Sequence, residues 1–140
     1  MDIETRLLLK NTQAILAARN LESGGAVQRY IDSEVLRLSN PFVPFQGGQL
    51  IQSGISGSDI GSGEVRWNGP YARYLYYGKL MVAPSGSSWA KKGENKHLTD
   101  KDLTYHRAPK RGAFWFERMK AAHRKDILRG AARIAGGRVK

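Results

Sequence analysis

Residues 112–127 read Gly112-Ala113-Phe114-Trp115-Phe116-Glu117-Arg118-Met119-Lys120-Ala121-Ala122-His123-Arg124-Lys125-Asp126-Ile127. Phe116, Met119, His123 and Ile127 fall at successive steps of three or four, with Trp115 and Ala122 beside them, so apolar side chains gather on one helical face. Arg118, Lys120, Arg124, Lys125 and Arg129 occupy much of the remaining surface. The pattern predicts an amphipathic helix of about five turns that ends near Ala135, before Gly136-Gly137. Trp115 and Phe116 are adjacent and so stand about 100° apart around the helix. Phe116 is read as the core residue and Trp115 as an anchor between elements or subunits, because aromatic side chains concentrate binding energy at interfaces. Such a helix needs a second layer to cover its stripe.

A second helix is predicted from Ala26 to Leu38, where Val27, Tyr30, Ile31, Val35 and Leu38 recur at helical intervals. Asn40-Pro41 ends it, since the residue before proline is pushed toward extended backbone. Pro41-Phe42-Val43-Pro44-Phe45 then reads as an extended apolar linker. Residues 3–18 fit either a short strand leading into a helix or one frayed helix.

The sheet is expected in the middle of the chain. Residues 49–56 and 64–68 flank the turn signal Asp59-Ile60-Gly61-Ser62-Gly63, and Glu64-Val65-Arg66-Trp67-Asn68 alternates polar and apolar, placing Val65 and Trp67 on one face. Tyr71-Ala72-Arg73-Tyr74-Leu75-Tyr76-Tyr77 suits a strand packed on both sides, with a short helix as the second reading. Residues 79–111 show no sustained period and are expected to be a mobile or assembly-ordered loop. The fold class expected is therefore α+β: a small antiparallel sheet packed against helices, with a long irregular loop and a C-terminal amphipathic helix, in a single domain over residues 1–140.

Charge is unevenly placed. The whole chain carries 23 Lys and Arg against 12 Asp and Glu, and residues 101–140 alone hold 12 basic and 3 acidic residues, a net of +9. Such a field favours a polyanion or an acidic protein surface as neighbour. Lys110, Arg111, Arg118, Arg124, Lys125, Arg129 and Arg133 are the candidates to face DNA or an acidic partner, since phosphate contacts need no base reading. The alternative is a solvated face. Cysteine is absent, which excludes disulfides and thiolate chemistry and suits a reducing compartment. Met1 to Lys10 lack a signal-peptide layout and no apolar run approaches membrane-spanning length, so an untargeted chain without membrane contact is expected.

Catalytic motifs are weak. His97, His106 and His123 lack the spacing of converging metal ligands, and no metal or cofactor is expected. Glu64, Glu94, Asp100 and Asp102 supply carboxylates but fit solvated surface better than an acid/base pair. Ser53-Gly54-Ile55-Ser56-Gly57-Ser58 lacks the nucleophile elbow, and Gly57 to Gly63 lacks the Lys-Ser/Thr ending of a phosphate loop. The chain is read as non-enzymatic.

Five segments in order carry a resemblance: residues 30–37, 41–45, 48–54, 68–74 and 114–120. Together they resemble the minor capsid proteins of phages and prophages of Gram-positive bacteria, and more distantly the tail-completion or head–tail joining proteins of long-tailed phages. Gly48-Gln49-Leu50 and Tyr71-Ala72 match recurring features of that group, and the longer connection from Lys79 to Arg111 departs from it. The resemblance implies a small α+β subunit that self-associates into a cyclic ring in the virion neck, through which genomic DNA passes. Implied partners are other neck, portal-adjacent or tail-terminator proteins, with non-specific DNA contact. The implied location is the head–tail junction, and the host cytoplasm during assembly. A ring uses two different patches per subunit, and Tyr71, Tyr74, Tyr76, Tyr77, Trp89 and Trp115 are the candidates for its interface. A non-specific DNA-binding protein using the basic C-terminal helix is the alternative.

Overall fold

In the computed structural model, which describes residues 14–87 and 89–137, the C-terminal pattern forms a helix over Trp115–Ala135. Five helices and one antiparallel strand pair are present among the described residues: α1 (14–18), α2 (Ala26–Ser39), α3 (Gln49–Gly57), α4 (Ala72–Tyr77), β1 (Lys79–Val82), β2 (His97–Asp102) and α5 (Trp115–Ala135). The fold is α+β. Part of the expectation for residues 3–18, over 3–13, lies outside the described residues; residues 14–18 are helical.

The main packing is α2 against α5. On α5 the buried residues Trp115, Met119, Ile127 and Ala131 lie on a line that advances by fours, with Gly130 beside it. Met119 and Ile127 are buried as expected and His123 is half-buried, whereas Trp115 takes the inner place expected of Phe116, which is half-buried, and Ala122 is exposed. Gly130 is the point of closest approach: a Cβ there would overlap the phenol ring of Tyr30 on α2. Gly130→Ala is therefore expected to destabilise the fold by about 1–3 kcal/mol through overpacking. In a Tyr30→Ala background the same change should be neutral or gain up to about 1 kcal/mol, because only the helix propensity of alanine remains. Urea unfolding of the four variants of this cycle measures that change of sign.

Two side chains close the far end of α5. Asn20, in left-handed backbone (φ 60°) after α1, donates from Nδ2 to the carbonyl of Ile134 at 3.1 Å. The Arg19 guanidinium reaches the carbonyl of Ala135 at 3.5 Å, where a cation complements the helix C-terminus. Asp32 makes the second tie. Its buried carboxylate accepts from the backbone N–H of Gly61 (2.8 Å) and Gly63 (3.0 Å) and from Nε2 of Gln28 (2.8 Å), fixing the 59–63 turn to α2.

The structure corrects the expected strands. Residues 49–57 form helix α3 rather than a strand, and beyond Leu50 its inner face carries only the small residues Ser53, Gly54 and Gly57. That bareness is what the packing uses, because the Trp67 indole occupies the space a Cβ at Gly54 would need, with Nε1 only 2.5 Å from that position. Residues 64–68 keep the expected alternation, with Val65 and Trp67 half-buried and Glu64, Arg66 and Asn68 exposed, yet the segment lies along α3 without a strand partner. Tyr71–Tyr77 takes the second reading, a short helix closed by Gly78 in left-handed backbone (φ 73°), whose N–H bonds the carbonyl of Tyr74.

The only strand pair among the described residues falls inside 79–111, the stretch expected to be irregular. Lys79 pairs with Asp102, Met81 with Leu98 and Val82 with His97, with an irregularity between Lys79 and Met81, and Lys79 and Asp102 form an ion pair across the base. Helix α2 ends one residue later than expected, and Asn40 remains helical (φ −51°, ψ −42°). The expected extended linker therefore begins as a turn, in which Phe42 and Val43 donate back to the carbonyl of Ser39 and Val43 is fully buried.

Candidate functional site

Three features bring together the residues singled out from the sequence. The first is a chain of aromatic rings that runs from the core to the surface. Trp115 stacks edge-on against Trp67 (centroids 5.8 Å apart) and Tyr76 (4.7 Å), and Tyr76 continues to Phe114 (5.4 Å) and Tyr77 (5.6 Å). Trp115 is 1% exposed, whereas Tyr77 and Phe114 are 54% and 44% exposed. Trp115 therefore anchors elements to one another inside the core and offers no surface to a neighbouring subunit. It opens α5 directly beneath α4, and burial on both of its faces settles which of two adjacent aromatics points inward. An open cleft of about 440 Å³ lies beside the cluster, between Val65, Trp67, Tyr76 and Phe116. Burial raises the pKa of Tyr76, with the nearby Glu117 charge adding to the shift.

Phe114 itself sits in left-handed backbone (φ 53°, ψ 40°), a costly conformation for a residue with a large side chain. Its N–H donates to the carbonyl of Tyr76 at 2.9 Å, which ties the start of α5 to the end of α4. Beside it, the Tyr105 hydroxyl donates to the carbonyl of Leu75 at 2.6 Å. Burial likewise raises the Tyr105 pKa.

The second feature divides the basic residues into two groups. Arg118 donates from Nε to the carbonyl of Ala113 (2.9 Å) and from its terminal nitrogens to Lys110 (2.6 Å), Pro109 (3.3 Å) and Phe42 (3.4 Å). Arg111 donates to the carbonyls of Asn40 (2.8 Å) and Val43 (2.6 Å). The rings of Phe42 and Phe45 each face two cations: Lys110 and Arg118 at 5.7 and 5.4 Å from Phe42, Arg107 and Arg111 at 5.2 and 5.6 Å from Phe45. Arg111 and Arg118 are thus engaged within the chain, latching the 40–45 turn to the segment before α5 instead of facing outward, while Lys110 lies by the Phe42 ring and stays exposed. Guanidinium groups suit this work because their fixed fork reaches several carbonyls at once. Arg118→Met is expected to cost about 1–3 kcal/mol, since it leaves part-buried carbonyls without their charged donor. Arg118→Lys should recover less than half of that loss in chemical denaturation.

The remaining candidates, Arg124, Lys125, Arg129 and Arg133, are exposed along α5, as is Lys120. Asp126 is their nearest acidic neighbour, 3.9 Å from Arg129 and 3.3 Å from His123. Ala121 and Ala122 leave a shallow hollow among these side chains.

The third feature is exposed apolar surface on separate elements. Trp89, in the β1–β2 connection, is 85% exposed, and Leu98 on β2 is 66% exposed. Tyr71 is 70% exposed at the rim of a cleft of about 270 Å³ between Pro44, Phe45, Pro70, Leu75 and Tyr105, while Tyr74 is half-buried. Sequence reasoning missed Asp32, Arg107 and the pairing of Phe42 and Phe45 with cations. The matching three-residue steps, Phe42 to Phe45 and Arg107 to Lys110, are their only trace in the sequence.

Among the described residues no group of three or more His, Asp or Glu side chains is placed to hold a metal ion, and no helix is long and apolar enough to cross a membrane. Comparisons of the chain with protein-family models, with curated proteins and with solved structures find no match.

Proposed function

We propose that the chain is a structural subunit of a tailed-phage virion that assembles into a ring in the neck, at the head–tail junction. The observation that carries this reading is where the five resembling segments meet. Residues 30–37 lie on α2 and 114–120 open α5, the two helices of the main packing. The 41–45 turn bonds to both Gly112 and Arg118 through the carbonyl of Phe42. Segments 48–54 and 68–74 meet where Gly69 approaches Leu50 and Ser53. The resembling segments thus form one packed centre, as expected if they specify a common scaffold.

Around that centre the chain exposes Trp89 on the β1–β2 connection, Leu98 on β2, and Tyr77 and Phe114 where α4 and α5 meet. Two different apolar patches on one subunit are what head-to-tail association into a closed ring requires. Neighbouring neck, portal-adjacent or tail-terminator proteins are its proposed partners, with the host cytoplasm as the place of assembly.

Inactivating the gene in its phage tests the proposal. DNA-filled heads and free tails should accumulate without joining, and a plasmid copy should restore infectious particles. Normal yields of joined, infectious particles would overturn the reading.

A further inference from the structure

We propose that the outer face of α5 is a phosphate-binding surface that holds duplex DNA without reading its bases, with one backbone seated over Ala121 and Ala122. The inference does not rest on the neck assignment, because it concerns a binding surface that any location would leave in place.

The geometry begins with the helix period. Residues 125, 129 and 133 each follow a position on the buried line 119–123–127–131 by two residues, a rotation of about 200°, so Lys125, Arg129 and Arg133 stand opposite the core. Lys120 and Arg124 flank them, and all five are exposed. From 125 to 133 this row spans roughly 12 Å at 1.5 Å per residue. Duplex DNA carries about one charge per 1.7 Å of axis, so a backbone laid along this face meets phosphates throughout its length.

The hollow over Ala121 and Ala122 gives the contact a seat. Its floor is two methyl groups and its walls include Lys120, Arg124, Lys125 and Arg129, so a backbone can approach the helix while long cations reach around it. Acidic competition is small, since Asp126 already lies beside His123 and Arg129 and Glu117 sits at the far end of the hollow. An acidic protein is the poorer fit. Protein interfaces are anchored by several buried aromatic or large apolar side chains, and around this hollow Leu128 alone is a large exposed one among the described residues of α5 from 117 to 133. Three of the five cations are arginines, whose planar forks match phosphate oxygens. Arg111 and Arg118 are engaged with backbone carbonyls elsewhere in the fold, whereas the side chains of this face are exposed in a row along one helix.

Titrating the full chain against a short labelled duplex at rising salt tests the proposal. With about four phosphates neutralised, log K should fall with log salt at a slope near −3.6, a loss of roughly 100-fold between 50 and 200 mM. Ala121→Glu places a carboxylate in the hollow of an exposed, helix-tolerant position and should weaken binding by about tenfold or more. Lys92→Ala, which changes net charge by the same single unit on the β1–β2 connection, should change affinity less than about twofold. Two duplexes of unrelated sequence should bind alike. Loss of binding that is equal for Ala121→Glu and Lys92→Ala would overturn the proposal, as would no binding at low salt, strong sequence preference, or polyglutamate competing as well as DNA.

Discussion

Replacing Trp115 with alanine is expected to lower the unfolding free energy by about 3–5 kcal/mol, the range for removing a large aromatic from a core. The magnitude follows from position. Trp115 is 1% exposed, touches Trp67 and Tyr76 edge-on, and opens the helix that carries Met119, Ile127 and Ala131 against α2. Removing it undermines the contact among α4, the 64–68 segment and α5 together. Trp115→Phe should cost under half as much, since a ring still fills most of the site and the indole N–H has no hydrogen-bond partner among the described residues. Trp89→Ala, at an 85% exposed position, should leave stability within about 0.5 kcal/mol of the original. Urea denaturation of the three variants gives the ranking directly, and an equal loss for Trp115→Ala and Trp89→Ala would contradict the packing described.

Asp32→Ala is expected to cost about 2–4 kcal/mol. The carboxylate is 2% exposed and accepts from two backbone N–H groups of the 61–63 turn and from Gln28, so its removal strands donors in the interior. Asp32→Asn should fall between, because one amide oxygen in the Oδ2 position can keep both backbone bonds while its NH₂ group faces the Gln28 amide. Hydrogen exchange adds a local readout. The amides of Gly61 and Gly63 should lose protection in Asp32→Ala to a greater extent than amides in the middle of α5.

The long periodic helices were legible from the sequence, and the small-residue elements were not. α2 and α5 carry enough apolar residues for the 3.6-residue period to emerge, and both appear within a residue or two of the expected bounds. α3 defeats the same reasoning because Ser53, Gly54, Ser56 and Gly57 are poor helix formers. The helix exists because its bare face admits Trp67, a partner 13 residues away from Gly54 that local pattern cannot reveal. The strand pair was missed for a related reason. β2 is exposed along nearly all its length, so no burial pattern marks it, and pairing with β1 supplies the order.

The candidate surfaces were legible in composition but not in detail. A block of positive charge was evident, yet the sequence could not distinguish a guanidinium that ends on a carbonyl of the 40–45 turn from one that ends in solvent. Arg118 and Arg124 look equivalent in the sequence. One donates to carbonyls of Phe42, Pro109, Lys110 and Ala113, and the other stands on the open face of α5. The two tryptophans read as interface candidates divide in the same way, with Trp115 inside the core and Trp89 exposed.

The proposal of a ring-forming neck subunit is tested most directly by imaging assembled particles that carry a small electron-dense label on the β1–β2 connection beside Trp89. The account predicts a collar of label confined to the head–tail junction, with several copies arranged around the axis. Label at the tail tip, label scattered over the capsid, or particles that contain none of the protein would contradict it.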